Sequence, residues 1–140
     1  MAKQQPQWQP LSKLPLIAQQ IDGMLEAAQE QYQRLLPAKA KPHVLDDFTL
    51  NRVKDVFITQ LNDFWLFEEQ LTRWSKNQLT PEQRKEVERL AVQMLKLREQ
   101  VVVILDLADQ LGKGTIEKVM AKSDAELGRA FLLNPDKFRR

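Results

Sequence analysis

Asp46, Asp47, Asp106 and Asp109 are the side chains whose type could most readily do chemistry, because helical proteins can hold Mg²⁺ with carboxylates alone. Gathered at one end of a bundle they would repel one another unless a cation or neighbouring lysines compensated. Lys54, Lys113 and Lys118 are the available compensators. The simpler reading makes Asp46 and Asp47 the opening residues of a helix, with Asp106 and Asp109 facing solvent. That reading is the stronger, so no residue is assigned as a metal ligand.

Other catalytic chemistry finds little support. There is no cysteine, which excludes disulfides, thiolate metal sites and thiol nucleophiles. His43 is the only histidine and stands beside Pro42 in a loop, without an orienting partner. One histidine cannot supply the paired Glu-x-x-His motifs of di-iron bundles. Neither a glycine-rich phosphate loop nor a Gly-x-Ser-x-Gly elbow occurs. No catalytic residue and no cofactor are assigned, and the balance leans against an enzyme.

Two binding chemistries remain. The C-terminal segment carries Lys113, Lys118, Lys122, Arg129, Lys137, Arg139 and Arg140, a candidate basic patch for nucleic acid that Glu117 and Glu126 dilute. Across the whole chain 21 basic residues face 19 acidic ones, so net charge alone does not call for a polyanionic partner. The aromatic residues Phe57, Phe64, Trp65, Phe67 and Trp74 could line a pocket, but helical spacing makes core packing the better explanation.

The elements that must position these groups are helical. Apolar residues recur at three- and four-residue steps through Leu14, Ile17, Ile21, Met24, Ala28, Tyr32 and Leu35, predicting a helix over about 14–36. Pro15 suits its first turn and Ser12 is a candidate cap, while Gly23 could mark a close approach. Pro37 and Pro42 bracket a loop. A second helix, 47–75, has the seam Leu50, Val53, Phe57, Gln60, Phe64, Phe67, Leu71 and Trp74. Thr80-Pro81-Glu82-Gln83 carries the clearest start signal in the chain, a capping box with proline at the first helical position. It opens a third helix, 81–111, along Val87, Leu90, Met94, Leu97, Val101, Ile104, Ala108 and Leu111, with Gly112 as its stop. Shorter helices are expected at 115–122 and 124–133, then a basic tail at 135–140. Residues 1–10 read as a flexible arm.

Two long helices joined by a short turn must lie antiparallel, like a coiled-coil hairpin. A turn centred near residues 78–79 sets Glu68 opposite Glu88 or Arg89, and Asp106 and Asp109 opposite 48–51. Glu68-Glu69 and Asp106-x-x-Asp109 superficially resemble the acidic motifs of all-α nucleotide pyrophosphohydrolases. The register holds the two pairs apart, however, and Thr72 stands where that family's first motif has a third acid. The match fails.

The hairpin alone cannot hide its own apolar surface. Val101 to Leu105 is apolar around the whole helix, and Phe64 to Phe67 does the same on the second helix. Trp65, Leu66, Val102, Val103 and Leu105 are therefore the candidate interaction surface. The expectation is an all-α fold, a long antiparallel hairpin within a three-helix bundle-like domain spanning 11–134. Its expected role is a non-enzymatic assembly module, with a second copy of the chain (a homodimer) or another protein as partner. A nucleic-acid accessory protein ranks second and a carboxylate-metal hydrolase third. With no apolar run near the ~20 residues that span a bilayer, no membrane partner and a cytoplasmic location are expected.

Overall fold

A computed structural model describes residues 6–121 of the chain. Among them, three long helices, α1 (Leu14–Leu35), α2 (Asp47–Ser75) and α3 (Pro81–Gly112), form an all-α bundle without strands. Residues 116–121 are helical again, while the helix expected over 124–133 and the tail at 135–140 lie outside the described residues.

α3 is the central helix. It packs closely against both α1 and α2, which approach each other less closely. Every residue of its expected seam is buried, and Leu107 joins them. α2 returns antiparallel to α3, and α1 runs parallel to it: Asp22 reaches Arg89 and Gln93, while farther along Tyr32 shares a groove with Val103. The order is thus up, down, up, the topology that short connections favour.

Local sequence chemistry explains most boundaries. Thr80 and Gln83 exchange hydrogen bonds: the Thr80 hydroxyl accepts from the Gln83 N–H at 3.1 Å, and the Gln83 side chain accepts from the Thr80 N–H at 2.9 Å. Two orphan donors of the first turn are thereby satisfied. Asp46 caps α2 by accepting from the Thr49 N–H at 2.7 Å. Ser12 does not cap α1. A one-turn 3-10 helix, Leu11–Lys13, leads into α1, and Lys13 takes the cap position without a side-chain bond. The Pro37–Pro42 connection also tightens into 3-10 turns, Leu36–Lys39 and Pro42–Val44.

Gly112 stops α3 as expected, whereas Gly23 departs from the sequence expectation. Gly112 ends α3 without the left-handed backbone typical of a glycine stop; the chain closes through Lys113 N–H to Gln110 O and Gly114 N–H to Leu111 O. A Cβ at Gly23 would meet nothing within 4 Å, so no close approach exists there. Gly114 is the residue that needs to be small. A Cβ there would stand 2.8 Å from the Pro42 ring, where the loop before α2 crosses the end of α3.

The α1 stripe is rotated slightly from the expected one. Ala18 and Leu25 are buried, whereas Ile17, Met24 and Tyr32 are only partly so. Packing on two neighbours, one parallel and one antiparallel, turns the face that meets α3 away from the centre of the apolar stripe.

Candidate functional site

The hairpin register differs from the one the turn alone predicts. Glu68 pairs with Arg98, not with the region of Arg89, and Asp109 pairs with Lys54 at 2.7 Å, about a turn nearer the hairpin end than residues 48–51. Side chains on a helix lean toward its N-terminus. On α2 that lean points away from the turn, and on α3 toward it. A side chain on α2 therefore meets one that springs from α3 farther from the hairpin end than its own level, and the long Glu68 and Arg98 extend the offset. Arg89 is free for α1 and grips Asp22 with two hydrogen bonds of 2.9 and 2.8 Å. That grip holds the Asp22 carboxyl below its ordinary value near 3.8.

The same shift disperses the four carboxylates. Asp47 lies opposite the segment after α3, not opposite Asp106. It accepts a 2.7 Å hydrogen bond from the buried Thr115 hydroxyl and a 3.3 Å contact from Lys118. The Thr115 hydroxyl foremost, then Lys118, holds the Asp47 carboxyl below its ordinary value. In return, Glu117 accepts from the Asp47 N–H at 3.0 Å, and the Ile116 N–H donates to the Leu45 carbonyl at 3.0 Å. The segment 115–118 thus latches onto the opening of α2. Among the described residues, no three acidic, histidine or cysteine side chains converge to hold a metal ion. His43 is exposed in its 3-10 turn.

Of the candidate basic patch, Lys113 and Lys118 are exposed among the described residues, and Lys118 is engaged with Asp47. Lys122, Arg129, Lys137, Arg139 and Arg140 lie outside the described residues.

The candidate interaction surface divides. Trp65 is 51% exposed, Val102 44% and Val103 42%. Leu105 instead packs partly buried against the core, and Leu66 is half-buried beside the N-terminal arm. Val103 borders the groove between α1 and α3. Val102 belongs to another face. It stands seven residues from the exposed Leu95, while the exposed Ile58 stands seven residues before Trp65, and seven residues is close to two helical turns. The outer face of the α2–α3 hairpin therefore carries an apolar pair from each helix, with the Glu68–Arg98 ion pair lying between them.

A second feature, not foreseen, joins that face at its hairpin end. Where the sequence suggests a flexible arm, residues 6–10 lie across α2. Gln70, only 5% exposed, receives the Gln9 N–H on its side-chain oxygen at 2.5 Å and returns its own N–H to the Gln9 carbonyl at 3.3 Å. The indole N–H of the buried Trp74 donates to the same carbonyl at 3.1 Å. Trp8 then stands edge-on to Trp65 with ring centroids 6.3 Å apart, and the Arg73 guanidinium lies 4.3 Å from its ring centre. A cavity of about 230 Å³ remains beneath the arm, between Ile17 and Gln20 of α1 and Leu66 and Phe67 of α2. The signal for this clasp was Gln70 itself, a polar residue four before Trp74 on the buried side of α2.

No family model, curated protein or solved structure matches the chain.

Proposed function

We infer that the chain is a non-enzymatic assembly module that associates with a second copy of itself through the outer face of the α2–α3 hairpin. The observation that carries this reading is the exposed apolar set Ile58, Trp65, Leu95 and Val102 on two helices that already bury their opposite faces against each other and α1. An isolated exposed apolar residue is ordinary, but an ordered set along two adjacent helices favours a partner. Trp65 is its natural anchor, being large and rigid, and the Glu68–Arg98 pair lies within the patch, where the two charges neutralise each other.

Self-association fits the symmetry of this face. Two such hairpins related by a two-fold axis set the same patch against itself, so each copy supplies what the other lacks. Sedimentation of the full chain tests the reading. Wild type is expected at twice its 16.4 kDa mass at micromolar concentration, and Val102→Glu is expected to weaken association at least tenfold while leaving helicity unchanged. A wild-type chain that stays at 16.4 kDa at every concentration overturns it.

A further inference from the structure

We propose that the groove between α1 and the first half of α2 is a docking site for the chain's own C-terminal segment, residues 124–133, seated as a fourth helix opposite α3. The proposal stands apart from the self-association reading. Val56 lines this groove and Ile58 belongs to the outer hairpin face, and two residues separate them by about 200° around the helix.

The groove is open and needs both apolar and polar cover. It encloses about 470 Å³ between Ala27, Gln31 and Arg34 of α1 and Phe48, Val56 and Gln60 of α2, and no residue of α3 lines it. Phe48 is 69% exposed and Val56 52%. At the inner end, the buried side-chain oxygen of Gln60 finds no hydrogen-bond donor among the described residues. Such an atom calls for a partner. Nearer the hairpin turn, the furrow between α1 and α2 is already roofed by residues 6–10, so the stretch from Phe48 to Gln60 is the part left uncovered.

Position, length and chemistry identify the occupant, a stretch that lies beyond the described residues. The chain leaves α3 across the loop before α2: Gly114 abuts Pro42, Ile116 bonds to Leu45, and Glu117 and Lys118 meet Asp47. Phe48 and Thr49, next after Asp47, form the mouth of the groove. Asp124 follows Lys118 by only six residues, each able to span about 3.5 Å, so the segment is tethered at that mouth. Phe48 to Gln60 covers about 18 Å of helix, and a ten-residue helix is about 15 Å long. Ser123-Asp-Ala-Glu126 is a capping box, Leu127, Ala130 and Phe131 share one helical face, and Asn134-Pro135 ends the pattern. Its acidic opening, Asp124 and Glu126, enters beside Arg52, which leans over the Phe48 ring at 5.9 Å. The Asn134 amide, at the other end, is a donor of the kind the Gln60 oxygen lacks. A short tether keeps this segment at high effective concentration over its own groove, ahead of any second copy.

Paramagnetic broadening tests this in the full-length chain, which has no cysteine of its own. Glu30→Cys puts a single nitroxide on the exposed rim of the groove. In an isotope-labelled chain, the amide signals of 124–133 should lose at least half their intensity relative to the reduced label. That loss should persist when the chain is diluted into an excess of unlabelled wild type. Adding Phe131→Asp should restore the signals while those of α1, α2 and α3 remain in place. Broadening that disappears on dilution places the segment on a second copy and overturns docking within the chain. Signals that the nitroxide leaves untouched, or a loss that survives Phe131→Asp, overturn it as well.

Discussion

At the scale of single residues, carboxylates that drew attention as a cation site are engaged by partners of ordinary kind. Asp109 meets Lys54, Asp47 meets Thr115 and Lys118, and Asp46 serves as a helix cap. The compensating lysines were legible from sequence, because like charges at one end of a bundle require them. The particular partners were not, since a helix reveals the levels of its residues but not how far its side chains lean. These bonds have a pH signature. Asp22 is held low by Arg89, Asp46 by Thr49 and Asp47 by Thr115, each below its usual value near 3.8. As pH falls, the unfolded chain takes up protons on these groups first. The stability they confer is therefore full above their ordinary pKa and is lost as pH drops through the folded values. Asp47→Asn should unfold more easily than wild type at neutral pH and lose less stability on acidification below about pH 4. Thermal melts across pH report this; parallel curves for the two proteins would contradict it. Gly23, with open space around its missing Cβ, gives a result of opposite sign. Gly23→Ala should stabilise the chain by about 0.5–1 kcal/mol in urea unfolding, and a loss would reveal a contact that the structure does not contain.

At the scale of elements, the signals written in short-range chemistry translated most directly. Thr80, Pro81 and Gln83 start α3 as their types demand, and Asp46 starts α2. Replacing Thr80 by alanine should cost about 1 kcal/mol by releasing the first-turn donors, measurable by chemical denaturation. The helix ends fall within a residue of where the sequence places them, but some details at those ends depend on tertiary contacts. Leu11–Lys13 forms a 3-10 lead into α1 where Ser12 had suggested a cap, and the docked arm fixes the chain just before it. Gly112 ends α3 as expected, but the glycine that must be small is Gly114, against the ring of Pro42. Gly114→Ala must push apart the 42–44 turn and the end of α3. It should lower stability and disturb the Ile116–Leu45 bond, so that faster amide exchange at Ile116 accompanies the loss. The arm itself was hidden because its tie is one buried glutamine against main chain, and neither partner has a periodic pattern to betray it.

At the scale of the whole molecule, the seam of α3 organises everything. Its 3-4 spacing predicted which residues meet α2, and the same residues also carry α1, so one helix serves two neighbours. Leu97 is fully buried there, and Leu97→Ala should cost about 2–5 kcal/mol, among the larger single losses in the bundle. The apolar excess around Val101–Leu105 was readable as a need for further cover. Within the described chain that need is met at Leu105 but remains open at Val102 and Val103. The hairpin face that includes Val102, Leu95, Ile58 and Trp65 is where the central claim stands. The mass of the full-length chain in solution, followed from nanomolar to high micromolar concentration, tests it most directly. A concentration-dependent rise from 16.4 kDa to twice that value, suppressed at least tenfold in affinity by Val102→Glu, is the predicted result. A mass fixed at 16.4 kDa over the whole range, or a dimer indifferent to a charge at position 102, would contradict it.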